Sequence, residues 1–136
     1  MRHPAPDRRL LVVDDNPDDV FVLQIASEEV KPPVQVDSAD SGDQLLAWVE
    51  TGADEPPTIL LVDWNLPGTQ TPEVIKRIRA HPVWATVPIV VYSGHATQGT
   101  EAEVLALGAD GFEVKPTDIE GILAMIARVL ALAAAH

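Results

Sequence analysis

Four short apolar runs in this chain end in groups that can do chemistry. Asp14 and Asp15 close the first of them, and Asp63, Trp64 and Asn65 stand where another ends. Ser93, Gly94 and His95 close the next, and Lys115-Pro116 the last. If these runs are strands of an open parallel sheet, three carboxylates, a hydroxyl and an ammonium project from one edge, because the crevice of such a sheet lies beyond the carboxyl ends of its strands. Carboxylates so close repel: at an effective dielectric near 20, one pair at about 4 Å costs roughly 4 kcal/mol. The cluster therefore needs a cation. Oxygen ligands at an open, watery rim suit Mg²⁺ or Mn²⁺ rather than Zn²⁺, and Lys115 adds a further positive charge. A carboxylate is a nucleophile towards a phosphoryl group. Transfer of that group needs in-line placement and neutralisation of its equatorial oxygens, which a metal and a lysine supply. Ser93 can hydrogen-bond a phosphoryl oxygen, and Asp63, between the other groups, is the natural acceptor. The bland alternative is that Asp14 and Asp15 only favour the start of the first helix. It leaves unexplained why all four strand ends carry reactive groups.

The elements that must hold these groups alternate along the chain. Runs rich in β-branched residues occupy 10–14, 34–39, 59–63, 89–93 and 111–115, and each precedes a stretch that reads as helix: 18–30, 42–51, 72–80, 99–107 and 118–133. The runs LLVV, ILLV and IVV are continuous rather than alternating, which suits strands buried on both faces. Strands alternating with helices imply βαβ units and right-handed crossovers. The expected fold is α/β: a doubly wound, flavodoxin-like (βα)5 sandwich with one five-stranded parallel sheet. Thr71-Pro72 reads as an N-cap followed by proline at the first helical position. Thr117 with Glu120 fits a capping box, and Ser41 or Asp43 can cap the second helix. Gly52, His81-Pro82 and Gly108 mark helix ends.

Bulk properties narrow the class. The chain has 136 residues, one domain's worth; 1–8 reads as a flexible N-terminal segment and 9–136 as the domain, with nothing left for an output domain. There are no cysteines, which excludes a disulfide framework, a thiolate metal site and a cysteine nucleophile, and fits a cytoplasmic setting. No secretory signal is visible, and the apolar stretch 122–135 is too short to span a bilayer. A formal charge of −12 opposes nucleic-acid binding.

Taken together, VVDDNP, LLVDWNLPG, YSG and KP resemble, in order, the motifs of the receiver domains of two-component response regulators. Ser93 lies 30 residues and Lys115 lies 52 residues after Asp63, spacings that also match the family. The resemblance covers about 9–133. It implies a phosphorelay protein, not a turnover enzyme, that takes a phosphoryl group on Asp63 from a histidine kinase and signals by conformational change. Asp15 and Asp63 would bind Mg²⁺ or Mn²⁺ directly, with the Asn65 backbone carbonyl; Asp14 would act mainly through a bound water. Ser93 and Lys115 would contact the phosphoryl group, and the Lys115–Pro116 bond would be cis. Two positions depart from the pattern. The switch aromatic is Phe112, without a hydroxyl and as readily an ordinary core residue, and Thr71 replaces the usual glycine after the acceptor loop. The DNP-x-D-V stretch from Asp15 to Val20 and the NLPG loop resemble the stand-alone regulators paired with phytochrome-type kinases.

Other residues admit plainer readings. Asn65 and His95, at the rim, are candidate modulators of phosphate lifetime, although His95 reads more simply as an exposed loop residue. His81 reads as a helix-end cap, and His3 and His136 as mobile termini. Trp64 packs at the loop and could report metal binding by fluorescence, against a background from Trp48 and Trp84. The first helix, with Val20, Phe21, Val22, Leu23, Ile25 and Ala26, has more apolar surface than one core stripe needs, so some of it should dock a kinase or phosphotransfer helix. The last helix has a similar surplus (Ile119, Ile122, Leu123, Ile126, Val129, Leu130 and Leu132), where a homodimer contact is plausible. Three rivals share parts of the pattern. A haloacid-dehalogenase-like phosphohydrolase wants an aspartate where Asn65 stands. A flavodoxin-like flavin carrier would need a phosphate loop where DDNPDD repels phosphate. A receiver-like module that is never phosphorylated has no positive signal, given intact Asp15, Asp63, Ser93 and Lys115.

Overall fold

The continuous apolar runs become strands because both of their faces are covered. The computed structural model describes residues 8–51, 56–94 and 98–136. Five strands, β1 (Arg8–Val13), β2 (Val34–Ala39), β3 (Ile59–Asp63), β4 (Ile89–Ser93) and β5 (Gly111–Val114), alternate with α1 (Pro17–Ser27), α2 (Gly42–Thr51), α3 (Thr71–Ala80), α4 (Gln98–Leu107) and α5 (Ile119–Ala135) among the described residues. All strand pairs are parallel, in the order β2-β1-β3-β4-β5. This is the flavodoxin-like α/β sandwich expected from the sequence. The order reverses direction at β1 and β3, so the crevice lies at their carboxyl ends.

Alternate strand residues feed two cores. Leu11, Val13, Leu60, Val62, Ile89 and Val91 pack on one face with residues of α2, α3 and α4. Leu10, Val12, Ile59, Leu61, Val90 and Tyr92 pack on the other with α1 and α5. A side chain so buried contributes about 1.5–3 kcal/mol, against about 0–1 for a surface ion pair such as Arg77–Glu73, so these two layers set the sheet's position.

Element ends differ from expectation for local reasons. β1 starts at Arg8, which pairs with Val34 in register, so Arg8 belongs to the sheet rather than to a flexible segment; residues 1–7, with His3, lie outside the described residues. α1 stops at Ser27: Glu28, Glu29 and Val30 donate to carbonyls three residues back in tight turns, and Pro32-Pro33 cannot continue a helix. Asp118, not Thr117, caps α5, its side chain accepting from the Gly121 N–H at 2.7 Å. Ser41 does cap α2, accepting from Gln44 N–H at 3.0 Å. The His81 ring accepts from the N–H groups of Val83 (3.1 Å) and Trp84 (3.3 Å), capping the turn after α3. His136 is held rather than loose, with Nε2 2.9 Å from the Thr86 carbonyl. The cis peptide bond found among the described residues is Lys31–Pro32. Lys115–Pro116, for which the resemblance implied cis, takes the trans form that X–Pro bonds ordinarily prefer.

Candidate functional site

Asp14 stands one residue beyond β1, and its N–H donates to Ala39 O at 3.0 Å, extending the pairing with β2. It does not cap the first helix. Asn16 does so, its side chain accepting from Asp18 N–H at 3.0 Å, with Pro17 at the first helical position. Asp14 instead faces inward, almost wholly buried, and its Oδ1 accepts from Asn16 N–H at 2.9 Å. Its Oδ2 accepts from the Tyr92 hydroxyl and from Lys115 Nζ at 3.1 Å. Every oxygen of this buried carboxylate is therefore engaged, as a buried charge requires.

Asp63 ends β3 and is also buried. Its Oδ1 accepts from Asn65 N–H at 3.0 Å, an Asx-type turn that bends the chain out of the strand. Its Oδ2 accepts from Lys115 Nζ at 3.0 Å. Burial pushes the Asp63 carboxyl above its ordinary range; the Asn65 N–H and Lys115 oppose that shift without cancelling it.

Lys115 follows β5, where its N–H donates to Ser93 O at 2.7 Å. Its ammonium meets Asp14, Asp19 (2.8 Å) and Asp63, and lies 4.7 Å from the centroid of the Tyr92 ring. Burial lowers the Lys115 pKa, but the bonds to Asp19 and Asp63 and the nearby negative charges outweigh it and hold the pKa above its usual value. The ammonium is therefore fully charged at neutral pH.

The loop after β3 is anchored in a way the sequence only hinted at. Thr71 is not the N-cap of α3: Gln70 holds that place, without a side-chain bond. Thr71 is fully buried, and its hydroxyl donates to the carbonyls of Asp63 (2.6 Å) and Trp64 (3.1 Å). Asp43 does not cap α2; it accepts from the Thr69 hydroxyl and from Thr69 N–H at 3.4 Å. Gly42 lets α2 approach this loop, because a Cβ there would lie 2.6 Å from Thr69 O, and Gly68 takes φ 69° within it.

The carboxylates of Asp14, Asp15 and Asp63 each offer an oxygen within 4.8 Å of the others, while Asp15 itself is exposed. Against the four acids Asp14, Asp15, Asp19 and Asp63, Lys115 supplies one positive charge. The surplus of hard oxygen donors fits a divalent cation of the Mg²⁺ type. Asn65 lines a cleft of about 490 Å³ together with Asp15, Trp64 and Glu103, and so stands on the same rim. Ser93 ends β4 one residue beyond Tyr92, the register partner of Asp63, and is buried. Phe112 is the partner of Val91 and packs, half-buried, against the core under α2–α4. His95 lies outside the described residues.

Two members of this centre, Asp19 and Tyr92, lie inside the DNP-x-D-V and YSG motifs, but the sequence assigned neither of them a role at the site. Asp19 sits four residues after Asp15, in the first turn of α1. Tyr92 is the single tyrosine of the chain, in an otherwise aliphatic strand, and a buried phenol usually finds a hydrogen-bond partner.

Fold and centre define a doubly wound α/β protein with a carboxylate–lysine pocket at the switch point of its sheet. The chain belongs to the response regulator receiver domain family, which it matches over residues 10–127, and so is a receiver domain of two-component signalling. The phosphate regulon transcriptional regulatory protein PhoB of Escherichia coli (strain K12) is 28% identical over 125 residues, 90% of this chain and 52% of that protein. The chain spans about half the length, or less, of the curated relatives it matches. Response regulator RPA3017 in red light signaling of R. palustris superposes with a TM-score of 0.79 at 20% identity, over 90% of each chain. The phosphorylated cyanobacterial phytochrome response regulator RcpA gives 0.77 at 21% identity, over 92% of this chain and 90% of that one. Both likenesses show the fold.

Proposed function

We propose that this chain accepts a phosphoryl group on Asp63 from a histidine kinase, with a divalent cation bound by Asp15, Asp63 and the Asn65 carbonyl and with Asp14 acting through water. The observation that carries the reading is one ammonium shared between two buried carboxylates: Lys115 Nζ lies 3.0 Å from Asp63 and 3.1 Å from Asp14, inside a three-carboxylate cluster. An Asp63 oxygen attacks phosphorus, a P–O bond forms, and the bond to the donor's nitrogen or oxygen breaks with its electron pair leaving on the donor. Bound Mg²⁺ or Mn²⁺ would supply neutralising charge to the phosphoryl oxygens. Lys115 neutralises further charge, and Ser93 hydrogen-bonds a phosphoryl oxygen once one is present. Movement of Ser93, with Phe112 swinging inward, would carry the change to the far side of the sheet. Asn65 and His95 would set access of water to the acyl phosphate and thus its lifetime. The protein acts as an acceptor with self-catalysed gain and loss of phosphate, not as a turnover enzyme.

The kinase would dock at α1, where Phe21, 61% exposed, lines a cleft with Asp14 and Asp15, and Ile25, further along the helix, is 44% exposed. A phytochrome-type kinase is supported by the DNP-x-D-V stretch and by what the RcpA and RPA3017 structures are named for. Among the described residues no helix is long and apolar enough to cross a membrane. Most apolar residues of α5 are buried or half-buried, so a homodimer contact there would rest on Ile119 and on Val114 at the end of β5. Intact mass after treatment with acetyl phosphate and Mg²⁺ tests the reading. Wild type is expected to gain one phosphoryl group and Asp63→Asn none. A labelled variant moves the acceptor elsewhere.

A further inference from the structure

The Lys115 ammonium has three protons, and three carboxylates stand at hydrogen-bond distance: Asp14 at 3.1 Å, Asp63 at 3.0 Å and Asp19 at 2.8 Å. Asp14 and Asp63 belong to the metal-type cluster; Asp19 does not. Asp19 approaches from the first turn of α1, and its side chain is 35% exposed while those of Asp14 and Asp63 are nearly dry. The pair opens on a cleft of about 280 Å³ between α1 and α5, lined by Asp19, Tyr92, Lys115 and Ile122 among others. A phosphoryl group arriving at Asp63 needs a proton of Lys115. Of the three bonds, the one to Asp19 is the best hydrated and so the cheapest to give up.

We propose that Asp19 is a positioning residue that holds Lys115 at rest and competes with the incoming phosphoryl group for its ammonium. The proposal rests on Asp63 being the acceptor. Two effects follow from the charge of Asp19, and they have opposite signs. It repels an anionic phosphodonor and withholds part of Lys115, so it raises the donor concentration required. It adds negative potential beside Asp14 and Asp63, and by drawing Lys115 outward it leaves those carboxylates freer for a cation.

Asp19→Asn removes the charge while leaving an oxygen that still accepts from Lys115. It is expected to lower the half-saturating acetyl phosphate concentration by about five- to tenfold and to raise the Mg²⁺ Kd by about threefold, with the maximal labelling rate within about twofold of wild type. Both effects should shrink at high salt, because the pair is partly hydrated. Asp18→Asn is the control. It loses the same charge from the same helix turn, but Asp18 is not among the partners of Lys115. It should change neither value by more than about twofold, and Asp19→Glu should restore both. Labelling is followed by intact mass and Mg²⁺ binding by calorimetry, so the second readout needs no phosphorylation. If Asp19→Asn behaves like Asp18→Asn, the role of Asp19 is overturned while acceptance at Asp63 stands. A fall in donor affinity in Asp19→Asn overturns it as well. An unlabelled wild type overturns acceptance at Asp63, and this proposal with it.

Discussion

The Tyr92 hydroxyl donates to Asp14 Oδ2 across β3, which lies between the strands that carry the two residues. Burial pushes the Tyr92 pKa above its ordinary value of 10.0, and the adjacent Asp14 carboxylate pushes it further. A group whose pKa is higher in the folded state contributes stability that is complete below the unfolded value and is lost as pH rises towards the folded one. Tyr92 should thus support the fold unchanged through neutral pH, with its contribution falling above pH 10.0. Because the chain has one tyrosine, tyrosinate absorbance reports this residue alone. No tyrosinate is expected until the protein unfolds in alkali. A midpoint near 10.0 in the folded protein would contradict the buried bond. Tyr92→Phe removes one donor to a buried carboxylate and should cost about 1.5–3 kcal/mol in urea unfolding.

Asp63 carries the opposite consequence for neutral pH. Burial holds its pKa above 3.8, so folding favours the protonated form. Its favourable contribution is present below that unfolded value and is lost as pH rises through the folded pKa, leaving an ionised Asp63 that costs stability at neutral pH. Metal-free Asp63→Asn is therefore expected to melt about 3 °C above metal-free wild type at pH 7. The gap should close as pH falls through the carboxylate range. Calorimetry at neutral pH showing the variant to be the less stable protein would mean that Lys115 outweighs burial.

Divalent cations should stabilise the fold, because they relieve repulsion among Asp14, Asp15 and Asp63 only where folding has gathered them. At a free Mg²⁺ concentration about a hundred times Kd, linkage gives roughly 2.7 kcal/mol. Asp15→Ala removes an exposed carboxylate and with it part of that repulsion, so its metal-free Tm should lie at or slightly above that of wild type while the Mg²⁺ shift largely disappears. Equal shifts in the two proteins, measured by thermal melts with and without Mg²⁺, would place the cation elsewhere.

The sheet was legible because β1, β3 and β4 are continuous apolar runs that only a doubly covered parallel sheet tolerates, and their observed ends lie within two residues of the expected ones. The convergence of Asp14, Asp63 and Lys115 followed from it, since strand ends at a switch point share one rim. The roles of Asp19 and Tyr92 were not legible, for different reasons. Asp19 sits in an acidic run at a helix start, where acids are ordinary, and only the approach of Lys115 from β5 gives it a partner. Tyr92 reads as one more apolar strand residue, because its partner is brought near by strand order and not by sequence distance. Helix caps were the least legible. At the start of α3 the hydroxyl of Thr71 had two possible uses, its own helix or the preceding strand, and local sequence does not choose between them.

That choice makes Thr71 the clearest test of how Asp63 is held. Its hydroxyl spans the carbonyls of Asp63 and Trp64 from a fully buried position, so it fixes the backbone that carries the Asp63 carboxylate. Thr71→Val keeps the shape and deletes the donor, leaving a buried carbonyl poorly satisfied, at a cost of about 1–3 kcal/mol. Thr71→Ser keeps the donor and loses one methyl, at about 0.8 kcal/mol. If the hydrogen bonds dominate, valine is the costlier change in urea unfolding; if packing dominates, serine is. The two should also part in function. Small displacements of a reacting group can cost on the order of a hundredfold in rate, so Thr71→Val should slow labelling by acetyl phosphate about tenfold or more while Thr71→Ser stays near wild type. Labelling by Thr71→Val at the wild-type rate would mean that the Asx turn at Asp63 and Asn65 holds Asp63 without help from α3.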